Sequence, residues 1–328
     1  MLKRGIPKKV RRYIKSKRSS FYRFNSVLGR FNNPIWLIGS SRSGTTWFSS
    51  LINYHKRYRV LFEPFHPTEN GFKKNLLQPF LYIPEDDDGN KIASLASEIF
   101  NGRFTHSRTD RGNIRLFYDG LVIKDIYANL FAAWACRNFG LQNVILLVRN
   151  PFSVALSKTE HRSWFESTDN LDFLNQKNLI EDHLLPFQDL IQHVKEFNDF
   201  TINQILIWSV INYIPLKQFK PGQIQVVFYE DLFDDPVSIL RNVYSNLFPE
   251  NPKQEILPDE DLIQLPSQYS SKSREQLQSE QFQERWKKKL TKQQIDAGYK
   301  ILNAFGLNEI YSRGLSPDPG VVQKLLAQ

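Results

Sequence analysis

The sequence predicts an α/β domain in which helices flank a central, mainly parallel sheet. Short apolar runs that fit buried parallel strands alternate with segments whose apolar residues recur at helical spacing. Glycine, proline and polar residues mark the boundaries between these segments. Regular alternation of strand and helix is typical of a layered α/β domain and argues against an all-α or all-β fold.

Five strands and the helices between them follow from this pattern. We predict strands at residues 35–38, 59–62, 121–123, 143–148 and 225–228, and helices at 92–100, 128–139, 236–247 and 292–305. A further helix follows the first strand, and the region 171–218 is helical in pieces. Asn150 before Pro151 and Asp235 before Pro236 each have the pattern of a residue that caps a helix opened by proline.

The positive charge of the chain is concentrated at its N-terminus. The formal net charge is +9, yet residues 1–30 contain eleven basic residues and no acidic one. The remaining residues carry 34 acidic groups and two fewer basic ones. We therefore predict a basic arm over 1–30, with Val10, Tyr13 and Ile14 on one helical face, and a nearly neutral domain over 31–328. The arm suits nucleic acid or an anionic membrane, and a solvated tail explains it equally well.

Composition excludes several classes of protein. The single cysteine, Cys136, rules out an intramolecular disulfide framework and a cysteine-rich zinc site, and the six histidines lack metal-ligand spacing. No apolar run approaches the roughly 20 residues that cross a bilayer. Because no apolar stretch follows the basic arm, we expect no secretory signal. We expect a cytoplasmic protein, peripheral to a membrane if the arm binds one.

A small-residue loop follows the first strand and opens a helix. It reads Gly39-Ser40-Ser41-Arg42-Ser43-Gly44-Thr45-Thr46. The spacing of Gly39 and Gly44 is that of the phosphate loop G-x-x-x-x-G-K-[ST], so the fold is predicted to be P-loop-like with three layers. Backbone N–H groups of such a loop and the helix N-terminus attract an anion. Thr45 occupies the lysine position, which disfavours a nucleotide kinase or triphosphatase, although a plain strand–helix turn remains an alternative.

The end of this loop resembles the 5′-phosphosulfate-binding loop of the sulfotransferases that use 3′-phosphoadenosine 5′-phosphosulfate. The resemblance implies that this compound is the co-substrate, without a metal. It implies contacts of residues 43–46 with the 5′-phosphate, of Arg42 with the sulfuryl group and of Trp47 with the adenine. The residues concerned are Arg42, Ser43, Gly44, Thr45, Thr46 and Trp47. A tryptophan on a first helical turn is also common in a core.

Two later segments resemble the same family. Arg149, at the end of the fourth strand, and Ser157, eight residues later, are similar to its 3′-phosphate site, where an arginine can bind a phosphate through two hydrogen bonds. Tyr229, after the last strand, matches its adenine-contacting tyrosine. The family also places a basic, serine-bearing loop over the 3′-phosphate late in the chain. The candidates there are Ser271 and Lys272, in a segment that also suits an ordinary solvated loop.

The resemblance also implies catalytic roles. Lys124 occupies the strand-end lysine position that faces the bridging oxygen. Ile126 stands where the cytosolic small-molecule branch has its histidine base. Glu63 matches the glutamate base of the carbohydrate and tyrosylprotein branches, and partial shielding from water is expected to raise its pKa. His66, His106 and His161 are alternative bases, and an ion pair of Glu63 with Arg42 or Lys124 is the structural alternative.

We therefore expect a sulfotransferase that acts by in-line displacement on a hydroxyl of a carbohydrate or glycoconjugate. Residues 64–118 and 158–218 are predicted excursions on the acceptor side. The aromatic residues of these and neighbouring segments would supply a sugar-binding surface: Trp134, Trp164, Phe165 and Trp208. The alternatives from other classes are a P-loop kinase or triphosphatase and a protein that binds anions through its basic arm. The sequence does not predict an oligomeric state.

Overall fold

A computed structural model describes residues 8–68, 76–88, 91–165, 167–248, 284–311 and 317–326. Five parallel strands form one sheet in the order β2-β3-β1-β4-β5. The strands are β1 Ile35–Gly39, β2 Tyr58–Phe62, β3 Gly120–Lys124, β4 Asn143–Val148 and β5 Gln225–Phe228. Each predicted strand is present within one residue of its predicted bounds, because each is an apolar run bounded by turn-forming or polar residues. The predicted α/β class is confirmed.

The helices occupy the connections between and after the strands. They are α1 Lys8–Val27, α2 Thr45–Ile52, α3 Ala93–Phe100, α4 Ala132–Phe139, α5 Pro151–Thr159, α6 Lys177–Leu179, α7 Gln188–Phe197, α8 Phe200–Gln218, α9 Tyr229–Asp234, α10 Pro236–Leu247, α11 Arg285–Lys289, α12 Lys292–Ala304 and α13 Pro319–Leu326. Short 3₁₀ turns lie at Asn129–Phe131, Arg162–Trp164, Leu171–Asn175, Leu185–Phe187 and Asn308–Tyr311, and one π-helical turn lies at Ile180–Leu184. The predicted caps are present: Asn150 and Asp235 accept hydrogen bonds from Ser153 and Ser238. Helices α9, α11 and α13 were not predicted.

The sheet is buried on both faces, which makes the domain three-layered. Trp36 and Ile38 of β1 belong to one hydrophobic cluster, whereas Ile35 and Leu37 belong to another. Successive side chains of a strand point to opposite faces, so the two clusters lie on opposite sides of the sheet. Helices α3, α4, α5 and α8 supply the first cluster, and α2, α9 and α10 the second. Among the described helices, none is long and apolar enough to cross a bilayer.

The last turns of α1 pack on this domain although they fall within the predicted arm. Tyr22 and Asn25 are buried. The Asn25 side chain donates to the carbonyl of Leu116 at 2.9 Å and accepts from the N–H of Tyr118 at 2.9 Å. These bonds fix the end of α1 against the segment that leads into β3.

A buried ion pair fastens the edge strand β2 to the segment that follows α3. Arg59 is fully buried, and its guanidinium donates to both carboxylate oxygens of Asp110, at 2.9 and 3.0 Å. It also donates to the carbonyls of Gly102 and Phe104 and lies over the Tyr22 ring. All these partners satisfy a charge that would be very costly to bury alone.

Asp110→Asn is therefore expected to lower the free energy of unfolding by about 3–5 kcal/mol, because it leaves the buried Arg59 without a counter-charge. Urea unfolding measures this as a lower midpoint at an unchanged slope. Glu98→Gln is the matched control, since Glu98 pairs with Arg103 in a half-exposed ion pair that is expected to contribute less than about 1 kcal/mol. Equal losses in the two variants would contradict this account of the Arg59 site.

Candidate active site

Polar side chains from all five strands meet at the carboxyl edge of the sheet. The small-residue loop follows the central strand β1, Lys124 ends β3, and Glu63, Arg149 and Tyr229 directly follow β2, β4 and β5. In open parallel sheets, ligands bind outside the carboxyl ends of the strands where the strand order changes direction. The order changes direction here around β1, between β3 and β4. This edge is the candidate site.

The loop after β1 has the geometry of an anion cradle. A Cβ atom on Gly39 would lie 2.7 Å from the carbonyl oxygen of Leu147, and one on Gly44 would lie 2.5 Å from the Tyr229 ring. Gly44 has φ 91° and no side-chain cap is bonded to the helix that it opens. The first N–H groups of α2 therefore point towards the loop without a capping side chain. The buried Ser43 hydroxyl has no hydrogen-bond partner among the described residues.

Two arginines and a serine lie together beside this loop. The Arg42 Nε donates to the Ser157 hydroxyl at 2.9 Å, and Arg149 donates to the Arg42 carbonyl at 3.0 Å. Burial, and then the charge of Arg149, lower the pKa of Arg42 below its usual value. A bound anion would relieve this repulsion between two partly desolvated cations. The sequence-predicted residues of the 5′-phosphate and 3′-phosphate segments are thus in direct contact.

Aromatic side chains line the other side of Gly44. The Tyr229 ring stacks on Phe233 with the centroids 5.7 Å apart, and Trp47 meets Tyr229 edge-on at 6.0 Å. The Arg149 guanidinium lies 4.2 Å from the centroid of the Tyr229 ring. Trp47 is only 8% exposed and belongs to the core cluster on this side of the sheet. Tyr229, which is half-buried, is the more accessible of these rings to a planar ligand.

Glu63 lies at the centre of a buried ion-paired cluster. One carboxylate oxygen accepts from the Lys124 ammonium at 2.6 Å, and the other accepts from the Arg108 guanidinium. Glu63 has φ 49°, a left-handed conformation that is strained for a residue with a side chain, and its N–H donates to the Lys124 carbonyl at 2.7 Å. Such strain is frequent at functional sites.

The expectation of a raised pKa for Glu63 was wrong. Burial alone would raise the pKa, but the charges and hydrogen bonds of Lys124 and Arg108 outweigh it, so the pKa lies below the ordinary value. Glu63 is therefore ionised at neutral pH and able to accept a proton. The expected pairing with Lys124 is present, and in the described hydrogen bonds the second cation is Arg108 instead of Arg42.

The neighbouring Asp125 connects the ends of β2 and β3. It is fully buried and accepts from the N–H groups of Phe65 and Tyr127, at 2.9 and 2.8 Å. Burial raises its pKa to about 6. Ile126 is buried in the core. Asp125 holds the turn after Glu63 against the strand that ends with Lys124, which fixes the separation of the two candidate catalytic residues.

The three alternative bases lie in different surroundings. His66 accepts from the N–H of Thr68 at 3.3 Å and its ring meets Tyr127 edge-on. The Nδ1 of His106 is buried without a hydrogen-bond partner among the described residues. His161 stacks on Trp164. By contrast, Glu63 is in direct contact with the strand-end lysine.

Sequence reasoning missed Arg108, Asp169 and Lys158. Lys158 and Asp169 form a buried ion pair at 2.7 Å, and Ser41 of the loop donates to Asp169 at 3.3 Å. No sequence signal pairs Arg108 with Glu63, because 45 positions separate them and the partner depends on the path of the chain. Lys158 directly follows Ser157, so its position in the matched segment was the available signal.

The predicted sugar-binding aromatic residues and the predicted late loop over the 3′-phosphate have different outcomes. Trp134 and Trp208 are core residues, 1% and 0% exposed, so the prediction that they form a sugar-binding surface was wrong. Their indole N–H groups donate to the backbone of Asp87 and Arg149. Trp164 is 66% exposed. Ser271 and Lys272 lie outside the described residues.

A second buried acid, Glu230, lies behind the site. It accepts from the N–H of Asn150 at 2.9 Å and from the Tyr311 hydroxyl at 3.2 Å. Burial raises its pKa to about 7, from an ordinary value of 4.5. A carboxyl group whose pKa is higher in the folded state than in the unfolded state stabilises the folded state at pH values below the pKa that it has in the unfolded state. This stabilisation is lost as the pH rises through the pKa that it has in the folded state.

We therefore expect the unfolding free energy to fall between about pH 5 and pH 8, and Glu230→Gln to reduce that fall. Urea unfolding at the two pH values measures the difference. The exposed Glu309→Gln is the control and is expected to leave the fall unchanged. A Glu230→Gln protein with the wild-type pH dependence would show that Glu230 does not titrate in this range.

The chain is similar to known sulfotransferases. The model of a family described as a sulfotransferase domain matches residues 139–303, which include Arg149, Ser157 and Tyr229. A sulfotransferase from Alicyclobacillus acidocaldarius is 13% identical, with 83% of this chain and 96% of that chain covered and a TM-score of 0.39. The sulfotransferase domain of the olefin synthase of Synechococcus PCC 7002 is 16% identical, with 82% of this chain and 94% of that chain covered and a TM-score of 0.36. No curated protein sequence matches the chain significantly.

Proposed function

The chain belongs to the sulfotransferase family and is an enzyme of sulfuryl transfer to a hydroxyl-bearing acceptor, and we propose that its donor is 3′-phosphoadenosine 5′-phosphosulfate. We propose further that the acceptor is a carbohydrate or glycoconjugate and that Glu63 is the base. The observation that carries the proposal is the contact between the loop after β1 and the arginine–serine pair after β4. That contact brings Arg42, Arg149 and Ser157 together, which supports the proposal that two separate phosphates bind within one site.

The residues at this edge suit the donor. The partnerless Ser43 hydroxyl and the uncapped first turn of α2 can donate to the 5′-phosphate. Arg149 and Ser157 would hold the 3′-phosphate, and Tyr229 would lie by the adenine next to Trp47. Ser271 and Lys272 are proposed as further contacts with the 3′-phosphate. When bound, the donor supplies an activated sulfuryl group.

The side chains of this chain then have separate tasks. Glu63, ionised at neutral pH, takes the proton of the acceptor hydroxyl. Lys124, at the end of β3, would place positive charge at the bridging oxygen, and Arg42, after β1, would place it at the sulfuryl group. Negative charge develops on both during transfer. Because Glu63 shares its two oxygens between Lys124 and Arg108, the loss of one ion pair on substrate binding leaves the other to hold its orientation.

The acceptor class is proposed from the type of base. Glu63-Pro64 with Ile126 resembles the carbohydrate and tyrosylprotein branches, and the exposed Trp164, which would supply an aromatic surface for a sugar ring, favours a carbohydrate. The segments 64–118 and 158–218 would contribute the acceptor pocket. Glu63 directly precedes the first of these segments, Arg108 lies within it, and Trp164 lies in the second, which supports this arrangement. The basic arm would contact an anionic membrane.

Transfer of sulfur-35 from the labelled donor tests the proposal. We expect label to enter the hydroxyl groups of glycan acceptors in a buffer that contains EDTA, with smaller transfer to simple phenols. Turnover of ATP with magnesium is expected to be absent, because Thr45 occupies the position of the phosphate-loop lysine. Turnover of ATP with no sulfuryl transfer would revive the kinase or triphosphatase alternative, and transfer to phenols alone would overturn the acceptor class.

A further inference from the structure

An exposed apolar patch lies at the corner where α1 meets the segment before β3. Nine large hydrophobic side chains are exposed in the described part of the chain, and five of them come from these two elements. They are Phe24, Val27, Leu28, Ile114 and Phe117, and Val27 is 82% exposed. Phe24 meets Phe117 edge-on with the centroids 6.3 Å apart, so the two elements form a continuous surface.

The helical part of the patch presents one face. Phe24 and Val27 of α1 and Leu28 directly after it are spaced at i, i+3 and i+4, and the Leu28 N–H donates to the Phe24 carbonyl at 3.0 Å, so the three side chains project from the same side. Asn25, between them, points inward and bonds to Leu116 and Tyr118. The orientation of the helix is therefore fixed by buried hydrogen bonds, and the apolar face is held towards solvent.

Basic residues flank this patch. Arg23 and Arg115 are exposed beside it, and the sequence from 1 to 30 has eleven basic residues and no acidic one. An apolar face with basic residues on its rim suits the interface of an anionic bilayer, where side chains enter the acyl boundary and cations meet the headgroups. Nucleic acid would match the charge but would offer no apolar partner for Val27 and Leu28.

The patch lies at the edge of the sheet opposite the candidate active site. The segment 109–119 runs along the edge strand β2, from Thr109, whose carbonyl accepts from Phe62, to Asp119, whose N–H donates to Arg57. Phe117 is therefore near the amino ends of β2 and β3, whereas Glu63 and Lys124 are at their carboxyl ends. A bilayer on the patch would face away from the site.

We propose that this patch, together with the basic arm, docks the enzyme on an anionic lipid bilayer and turns its active site towards the aqueous phase. The acceptor hydroxyl then comes from the aqueous side instead of from the headgroups beneath the docked enzyme. The orientation rests on the proposed position of the active site, whereas docking itself does not.

Co-sedimentation with vesicles tests docking without any acceptor. The full chain is expected to bind vesicles of equal phosphatidylcholine and phosphatidylglycerol, and not phosphatidylcholine alone, with binding weakened by salt. Val27→Asp with Leu28→Asp is expected to weaken binding by at least about tenfold, because two apolar side chains no longer enter the bilayer. Leu185→Asp, which replaces an exposed leucine outside the patch, is the matched control.

Three results would overturn docking. They are an absence of vesicle binding, vesicle binding that the double variant leaves unchanged, and binding of duplex DNA that competes all vesicles away.

An environment-sensitive fluorophore at Val27→Cys and, separately, at Thr68→Cys tests the orientation. Thr68 is exposed shortly after the carboxyl end of β2. Burial raises the pKa of the Cys136 thiol to about 12, so that cysteine should react slowly.

We expect the fluorophore at position 27 to shift to the blue on vesicles and the one at position 68 to keep its spectrum. A blue shift at both positions, or at position 68 alone, would overturn the orientation. Sulfuryl transfer to a soluble glycan, measured in parallel without vesicles, reports on the proposed function independently of docking.

Discussion

Glu63→Gln is expected to lower kcat by about 10²–10⁴-fold, because glutamine has nearly the same shape as glutamate but cannot take the proton of the acceptor hydroxyl. The variant keeps an oxygen that can accept from Lys124 or Arg108, so the turn after β2 should keep its conformation. Initial rates at saturating donor and acceptor, with calorimetric binding of 3′-phosphoadenosine 5′-phosphate, measure the two effects separately.

The pH profile gives this prediction a second readout. Since Lys124 and Arg108 keep the pKa of Glu63 below its ordinary value, the base stays ionised down to the acid range. The wild-type kcat/KM should therefore show no acidic limb from Glu63 between about pH 5.5 and pH 8. Glu98→Gln, which changes a half-exposed and ion-paired glutamate, is the control and should keep full activity. A Glu63→Gln enzyme that binds the nucleotide and turns over at the wild-type rate would remove Glu63 as the base.

Lys124→Met is expected to lower kcat by about 10²–10³-fold, the loss that follows removal of one group that stabilises transition-state charge. Methionine fills the buried volume of the lysine stem, so the cost to folding should be smaller than that of alanine. Steady-state kinetics should show the loss in kcat, with little change in the affinity for 3′-phosphoadenosine 5′-phosphate.

Loss of Lys124 should also change the titration of Glu63. The ammonium is the main cause of the lowered pKa, so without it burial dominates and the acidic limb of kcat/KM moves to higher pH. Lys124→Arg keeps the charge and is expected to restore part of both effects. If Lys124→Met left kcat and the acidic limb unchanged, Lys124 would neither stabilise the charge of the transition state nor lower the pKa of Glu63.

The sheet could be predicted from the sequence because the pattern that indicates each strand lies within the strand and its flanking residues. Each strand is a short apolar run, and the run that ends in Val148 leads directly into the Asn150 cap of α5. The residues at the strand ends were therefore placed correctly at one edge, which follows from parallel strands alone. The matched motifs added candidate roles for Arg42 and Arg149, and these roles remain proposals.

The ion-pair network could not be predicted in the same way. Arg59 resembles any polar residue of an edge strand in the sequence, yet it is fully buried because Asp110, 51 positions later, neutralises it. The pKa of Glu63 was predicted in the wrong direction for the same reason, since the distant Arg108 and the neighbouring strand's Lys124 both contact it. Burial of a charge depends on partners that only the folded chain brings together.

Isothermal titration of the protein with 3′-phosphoadenosine 5′-phosphate, and separately with ATP, tests the central claim most directly. In the proposed site, the loop after β1 and the Arg149–Ser157 pair would bind the two phosphates of the first nucleotide, whereas ATP lacks the 3′-phosphate and Thr45 replaces the lysine that triphosphates need. We predict saturable binding of 3′-phosphoadenosine 5′-phosphate that Arg149→Met weakens, and no heat of binding with ATP. Equal binding of both nucleotides, or binding of neither, would contradict the account.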